Sequence, residues 1–454
     1  MMIKWLSILL IGYRYYRFLM NYRYTIDYSA IVDYRSATLA KTAHNFFLIS
    51  IVSLFPASLA PLAMIFGCVG SGTMSDALGR KTGQIILIFP YTIGWLVMGF
   101  APNNAIMMLG RVITGMCTGA VRPLSLVYIG EVSDPKYRAI TLVSLMLLSG
   151  ILFAHLVGSF VSWRLSAILC GVPAIACLVV FLFLKESPLW LIAKGRTDEG
   201  IESFRWFRGI NEESEEELSA ILNRQEKQES VFVDFRDVFL RRTFIKPAII
   251  LALLMLNIQF SGVNAINFYA HDIYDSTFSG KIDTFSIMIG LDSIRLLMST
   301  IFIICGTKIP RKISLITITV GVCCTLSFLI AYIVMDLQVY LWVPISVLYI
   351  YMGLVSAIVT VAWTFVPEII PTKVRGVGSG VTSALSYLLL FILVKVTPDI
   401  MNLYGIEVLY GVFLVASVFC AIVLFWLLPE TNGKTLQAIE DSYNNKGKIE
   451  QSKL

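Results

Sequence analysis

Long apolar runs separated by short charged breaks dominate the chain. A helix that crosses a bilayer needs roughly 20 apolar residues, because the hydrocarbon core is about 30 Å thick. Eleven segments meet that length: 46–72, 84–101, 105–130, 141–162, 164–184, 246–270, 285–306, 313–335, 338–366, 377–397 and 408–428. The runs are continuous rather than alternating, so they predict spanning helices and not barrel strands. Five precede a long charged stretch and six follow it.

Composition agrees with that reading. Of 454 residues, 57% are hydrophobic and 15% charged, with a mean hydropathy of +0.76. Soluble domains carry about 25% charge. Disorder, coiled coil, collagen and a secreted disulfide scaffold are excluded by the same figures. Residues 185–246 hold 24 of the 66 Asp, Glu, Lys and Arg, so that stretch is the aqueous part. The eight cysteines (Cys68, Cys117, Cys170, Cys177, Cys305, Cys323, Cys324 and Cys420) lie in or beside apolar runs. Their spacing fits neither a metal site nor a disulfide framework.

Orientation follows from Lys and Arg in the short loops. The loops on the side of residues 185–246 and the C-terminus supply nine: Arg80, Lys81, Lys136, Arg138, Lys308, Arg311, Lys312, Lys373 and Arg375. The opposite loops supply three, Arg164, Lys281 and Lys395. The charged stretch and the C-terminus are therefore expected in the cytoplasm. With eleven spans the N-terminus would face outward. Yet residues 1–42 carry six basic residues against Asp27 and Asp33, and their apolar run, Ile3 to Tyr13, is 11 residues long. A first helix is expected to be weak or missing.

The chain repeats itself. Asp76-Ala77-Leu78-Gly79-Arg80-Lys81 recurs in degraded form as Thr307-Lys308-Ile309-Pro310-Arg311-Lys312, offset by 231. Glu131 and Arg138 recur as Glu368 and Arg375, offset by 237, and Glu186 recurs as Glu430, offset by 244. Two parallel halves joined by a wet loop predict a transporter with its site at the repeat interface. The expected division is an atypical N-terminal segment (1–45), a helical half (46–184), a cytoplasmic linker with short helices (185–245), a second half (246–429) and a cytoplasmic tail (430–454).

An ordered set of motifs carries a resemblance. These are Ser75-Asp76-Ala77-Leu78-Gly79-Arg80-Lys81, Gly110-Arg111, Tyr128-Ile129-Gly130-Glu131 followed by Arg138, Trp163-Arg164, and Glu186-Ser187-Pro188. Then come Gln259-Phe260-Ser261-Gly262-Val263-Asn264, Pro367-Glu368 through Arg375-Gly376, and Pro429-Glu430-Thr431. Together they resemble the sugar-porter family of the major facilitator superfamily, within it insect trehalose carriers and facilitative glucose carriers. The resemblance covers about residues 46–442. It implies an all-α membrane protein with two six-helix halves, of which eleven spans are clear here.

Charges at membrane-helix ends must pair or reach the interface. Asp76, Arg80, Arg111, Glu131, Arg138, Glu186, Glu368, Arg375 and Glu430 are therefore expected to form an inner latch between the halves, as the resemblance implies, with Gly79 permitting a tight turn. The segment 246–270 carries Asn257, Gln259, Ser261, Asn264, Asn267 and Tyr269 in an apolar run. Carboxamides offer the donors and acceptors that sugar hydroxyls need. On an unbroken helix Gln259 and Asn264 would lie about 140° apart. Both reach one cavity only if the helix unwinds at Ser261-Gly262. The resemblance implies sugar contact by Gln259 and Asn264, stacking by Trp363 and an outer-gate aromatic at Tyr269. Asn267 is expected beside them.

The chain departs from the family at His155, at Arg295 and at Ser386-Tyr387, where the family places Gln, Asn or Gln, and Asn-Trp. His155 is a candidate substrate contact. Asp292 and Arg295 are three apart and can pair on one helix face. Were Arg295 free, the cavity would favour anions.

The expected function is facilitated diffusion of a small neutral sugar, glucose or trehalose, by alternating access in the plasma membrane. The alternatives are proton-coupled symport and a non-transporting sugar sensor. No Ser/His/Asp set, HExxH or metal cluster occurs in the sequence, so neither enzymatic chemistry, nor a cofactor, nor a nucleic-acid partner is expected.

Overall fold

The computed structural model describes residues 39–132, 140–227, 242–278, 284–305, 310–335, 340, 342–370 and 375–430. The N-terminal segment through residue 38, and with it the expected weak first helix, lies outside the described residues, as does most of the tail. All regular structure among the described residues is helical.

The first half contains α1 (Leu39–Leu78), α2 (Arg80–Gly99), α3 (Asn104–Val132), α4 (Ile140–Phe160) and α5 (Trp163–Phe183). The linker follows as α6 (Pro188–Ala193), α7 (Thr197–Arg208) and α8 (Glu212–Lys227). The second half contains α9 (Arg242–Phe260), α10 (Val263–Phe268), α11 (Ala270–Phe278), α12 (Thr284–Cys305), α13 (Arg311–Val334), α14 (Trp342–Ile369), α15 (Arg375–Tyr404) and α16 (Ile406–Leu427). Nine spans among the described residues are long and apolar enough to cross a membrane. Helices α4 and α12 occupy the other two predicted segments.

The sequence repeat is also a packing repeat. In the first half α3 packs on α1 and α2, and α2 on α5; in the second α14 packs on α12 and α13, and α13 on α16. The halves meet where α1 packs on α15 and α4 on α12, two pairs that the repeat exchanges. The stretch that would correspond to α9–α10 under this repeat falls before residue 39, outside the described residues.

Large aromatic side chains remain exposed at both ends of the helices. Phe100, Phe160, Trp163, Tyr340, Trp342 and Tyr404 lie at the end away from the linker, and Phe183, Phe425 and Trp426 at the linker end. An aqueous surface would not tolerate this, but a bilayer interface favours it. The linker has its own small core of Ile192, Phe204 and Leu218. Arg205 Nε lies 2.8 Å from Glu215 and joins α7 to α8. Hydrogen bonds from Arg205 hold the Glu215 carboxyl below its ordinary pKa.

One helix runs past its predicted end. The pattern places a stop at residue 397, before Pro398 and Asp399, but α15 continues to Tyr404. Pro398 has no N–H to give the carbonyl one turn back, that of Val394. The Tyr269 hydroxyl donates to that carbonyl at 2.8 Å instead. The proline is thereby accommodated inside the helix.

Candidate functional site

The expected break in 246–270 is present. Helix α9 ends at Phe260, and Gly262 adopts φ +88°, ψ −5° before α10 begins. A side chain at Gly262 would be strained there, and its Cβ would collide with Tyr351 and Phe413. Unwinding frees the Ser261 carbonyl, which the hydroxyl of fully buried Tyr351 on α14 satisfies. The break turns Gln259 and Asn264 toward each other. Asn264 Nδ2 donates to Gln259 Oε1 at 2.6 Å. Gln259 Nε2 donates in turn to the Ser386 carbonyl and hydroxyl on α15, at 3.0 and 2.9 Å.

Gln259, Asn264, Asn267, Arg295 and Trp363 all line one cavity between the halves. Arg295 is buried and pairs with Asp292 at 3.1 Å, the geometry expected of residues three apart. Its Nη1 also donates to Asn267 Oδ1 at 2.6 Å. His155 sits behind this wall, and its Nδ1 bonds to the other Asp292 oxygen. That bond joins α4 in the first half to α12 in the second. Tyr269 stands apart from the cavity lining, committed to Val394.

The cavity also contains residues that motif reading passed over. Ser356 and Thr360 of α14 line it, as does Arg122 of α3. The Arg122 guanidinium lies 3.7 Å from the centre of the Trp363 ring, and it also reaches the Tyr387 hydroxyl. Both contacts cross between the halves. The available signal was an arginine in the middle of an apolar run, Ala120-Val121-Arg122-Pro123.

At the linker end, Arg80 is the centre of a charged cluster. Its Nε and Nη2 donate to the two oxygens of Glu131 at 3.0 Å each, a fork-to-fork pair. Asp76 lies 3.2 Å from its Nη1, and the Ser187 hydroxyl donates to Glu131. Gly79 makes the turn between α1 and α2 with φ +97°.

Glu186 does something the pairing expectation did not foresee. Its carboxylate accepts the backbone N–H groups of Arg80 and Lys81 at 2.8 Å each and of Thr82 at 3.2 Å. Those are orphan donors at the start of α2, where the helix dipole also favours an anion. Glu430 repeats this on α13, accepting from the N–H groups of Arg311 and Lys312 at 3.1 Å. These described bonds tie the start of α2 to the chain just after α5, and the start of α13 to the chain just after α16. Arg111 lies part-buried on α3. Arg138 and the side chains of Glu368 and Arg375 lie outside the described residues.

Comparison with known proteins agrees with the architecture. The chain is 31% identical over 398 residues to a facilitated trehalose transporter of Bombyx mori, covering 84% of this chain and 77% of the relative. It is 30% identical over 439 residues to the corresponding transporter of Apis mellifera ligustica, covering 93% and 85%. The solved structure of the proton:xylose symporter XylE bound to 6-bromo-6-deoxy-D-glucose shares the fold, with a TM-score of 0.72 at 18% identity over 89% of this chain and 91% of that one. The sequence profile described as sugar (and other) transporter matches residues 6–443, and the chain belongs to that family.

Proposed function

We propose that the protein carries small sugars across the plasma membrane by facilitated diffusion, with the substrate bound between the halves and the halves rocking around it. The observation that carries this reading is the Gln259–Asn264 pair beside Trp363 on one cavity wall. Carboxamides match the mixed donors and acceptors of sugar hydroxyls, and an indole face suits the C–H face of a sugar ring. Asn267 adds a further carboxamide. The insect relatives are named as facilitated trehalose transporters, which makes trehalose and glucose the first substrates to test. The linker and C-terminus face the cytoplasm in this reading, following the basic residues of the loops.

Purified protein in liposomes should exchange radiolabelled trehalose or glucose without an imposed ion gradient. Gln259→Ala and Asn264→Ala should each reduce the rate at least tenfold. Absence of exchange for every sugar offered would refute the carrier reading.

A second reading, proton-coupled symport, draws on the His155–Asp292 bond across the halves. Two titratable side chains at a moving interface can tie proton binding to conformation. An inward proton gradient that accumulates sugar would establish it; equal exchange with and without the gradient would dismiss it.

A further inference from the structure

Among the described residues the charges of the cavity do not balance. Arg295 is neutralised by Asp292 at 3.1 Å. Arg122, lining the same cavity, bonds to no carboxylate among the described residues. Its neighbours are the Trp363 ring and the Tyr387 hydroxyl, neither of which carries charge. Arg295 adds a second unmet demand, because its buried Nε has no hydrogen-bond partner among the described residues. A neutral sugar would leave the Arg122 charge uncompensated in a site from which water is displaced. A guanidinium presents a planar fork whose natural complement is a carboxylate. One unbalanced positive charge calls for one negative charge, which matches a carboxylate rather than a phosphate dianion.

We propose that Arg122 makes this cavity selective for sugars bearing one carboxylate, the uronate class, over neutral sugars. The carboxylate takes the Arg122 fork from its place over the indole, and Trp363 is freed to stack on the sugar ring. Gln259, Asn264 and Asn267 serve the hydroxyls. This rests on the sugar-carrier reading and changes the expected substrate from neutral to anionic. A carrier that moves a monoanion without a co-ion also moves charge, so its flux responds to membrane potential.

The test uses the full purified chain, with D-glucuronate against D-glucose and trehalose. Thermal stabilisation in detergent gives relative affinity without requiring transport. Glucuronate should bind at least tenfold more tightly than either neutral sugar. Arg122→Gln should bring that ratio to about one, while Arg122→Lys, which keeps the charge, should retain part of it. Unfolding of the ligand-free variants shows whether they are folded. In liposomes an inside-positive potential of about 59 mV should accumulate glucuronate about tenfold, whereas neutral sugars should equilibrate evenly.

A ratio near one in the unsubstituted chain overturns the proposal, as does an undiminished ratio in Arg122→Gln, or no stabilisation by any sugar. Tight glucuronate binding with no flux of any sugar supports the selectivity and refutes the carrier reading instead.

Discussion

The Tyr351 hydroxyl donates to the Ser261 carbonyl, the acceptor that unwinding between α9 and α10 sets free. Tyr269 does the same for Val394, whose helical donor Pro398 has removed. Two irregularities in the second half are thus each closed by a tyrosine from elsewhere in that half. Tyr351→Phe keeps the ring and removes the donor. It should cost about 1–3 kcal/mol, the penalty of an unsatisfied buried acceptor. Thermal unfolding in detergent measures it, and an unchanged midpoint would show that the carbonyl finds another partner.

Gly262→Ala attacks the same break from the backbone side. The left-handed conformation costs a non-glycine residue about 1–2 kcal/mol. The added methyl also meets Tyr351 and Phe413. The variant should lose sugar binding more severely than Tyr351→Phe, because relief of strain rotates Gln259 and Asn264 apart. Parallel titrations of both variants with one sugar test that order; equal affinities would disprove it.

Arg80 and Glu131 form a two-point ion pair with side chains only 12% and 17% exposed. Removing one partner leaves a partly buried charge alone, which costs about 3–5 kcal/mol for a buried pair. Arg80→Ala should therefore destabilise the protein more than the double variant Arg80→Ala/Glu131→Ala does. A double-mutant cycle reads this directly. Additive effects would mean that the pair is solvated and weak.

Asp292 is shared between Arg295 in its own half and His155 in the other. His155→Ala should leave the Arg295 pair in place and loosen α4 from α12. Asp292→Asn should disturb both. Spin labels on these two helices should report a broader distance distribution for both variants, with a loss of thermal stability only for Asp292→Asn. Identical distributions in the parent and His155→Ala would show that the bond does not hold the halves together.

The spans were legible because length and hydropathy suffice to define a helix in a bilayer. The break at Ser261-Gly262 was legible from geometry, since two carboxamides five residues apart cannot share a face of a regular helix. The continuation of α15 through Pro398 was not, because its remedy comes from Tyr269, 125 positions earlier in the chain. Arg122 escaped for a related reason. Its importance lies in what faces it, the ring of Trp363 from the other half, and local sequence does not record that neighbour. Glu186 was singled out by its repetition as Glu430, but the donors it meets could not be read. A carboxylate that caps a helix through backbone N–H groups leaves no complementary side chain in the sequence.

That capping arrangement gives the molecule its own control experiment. Glu186 and Glu430 perform one task twice in a single polypeptide, on α2 and on α13, in the same membrane and at the same concentration. Glu186→Ala and Glu430→Ala are therefore matched substitutions, each removing an N-terminal cap worth about 0.5–2 kcal/mol. Any difference between them in stability or flux measures how far the two duplicated halves have diverged in function since they were alike.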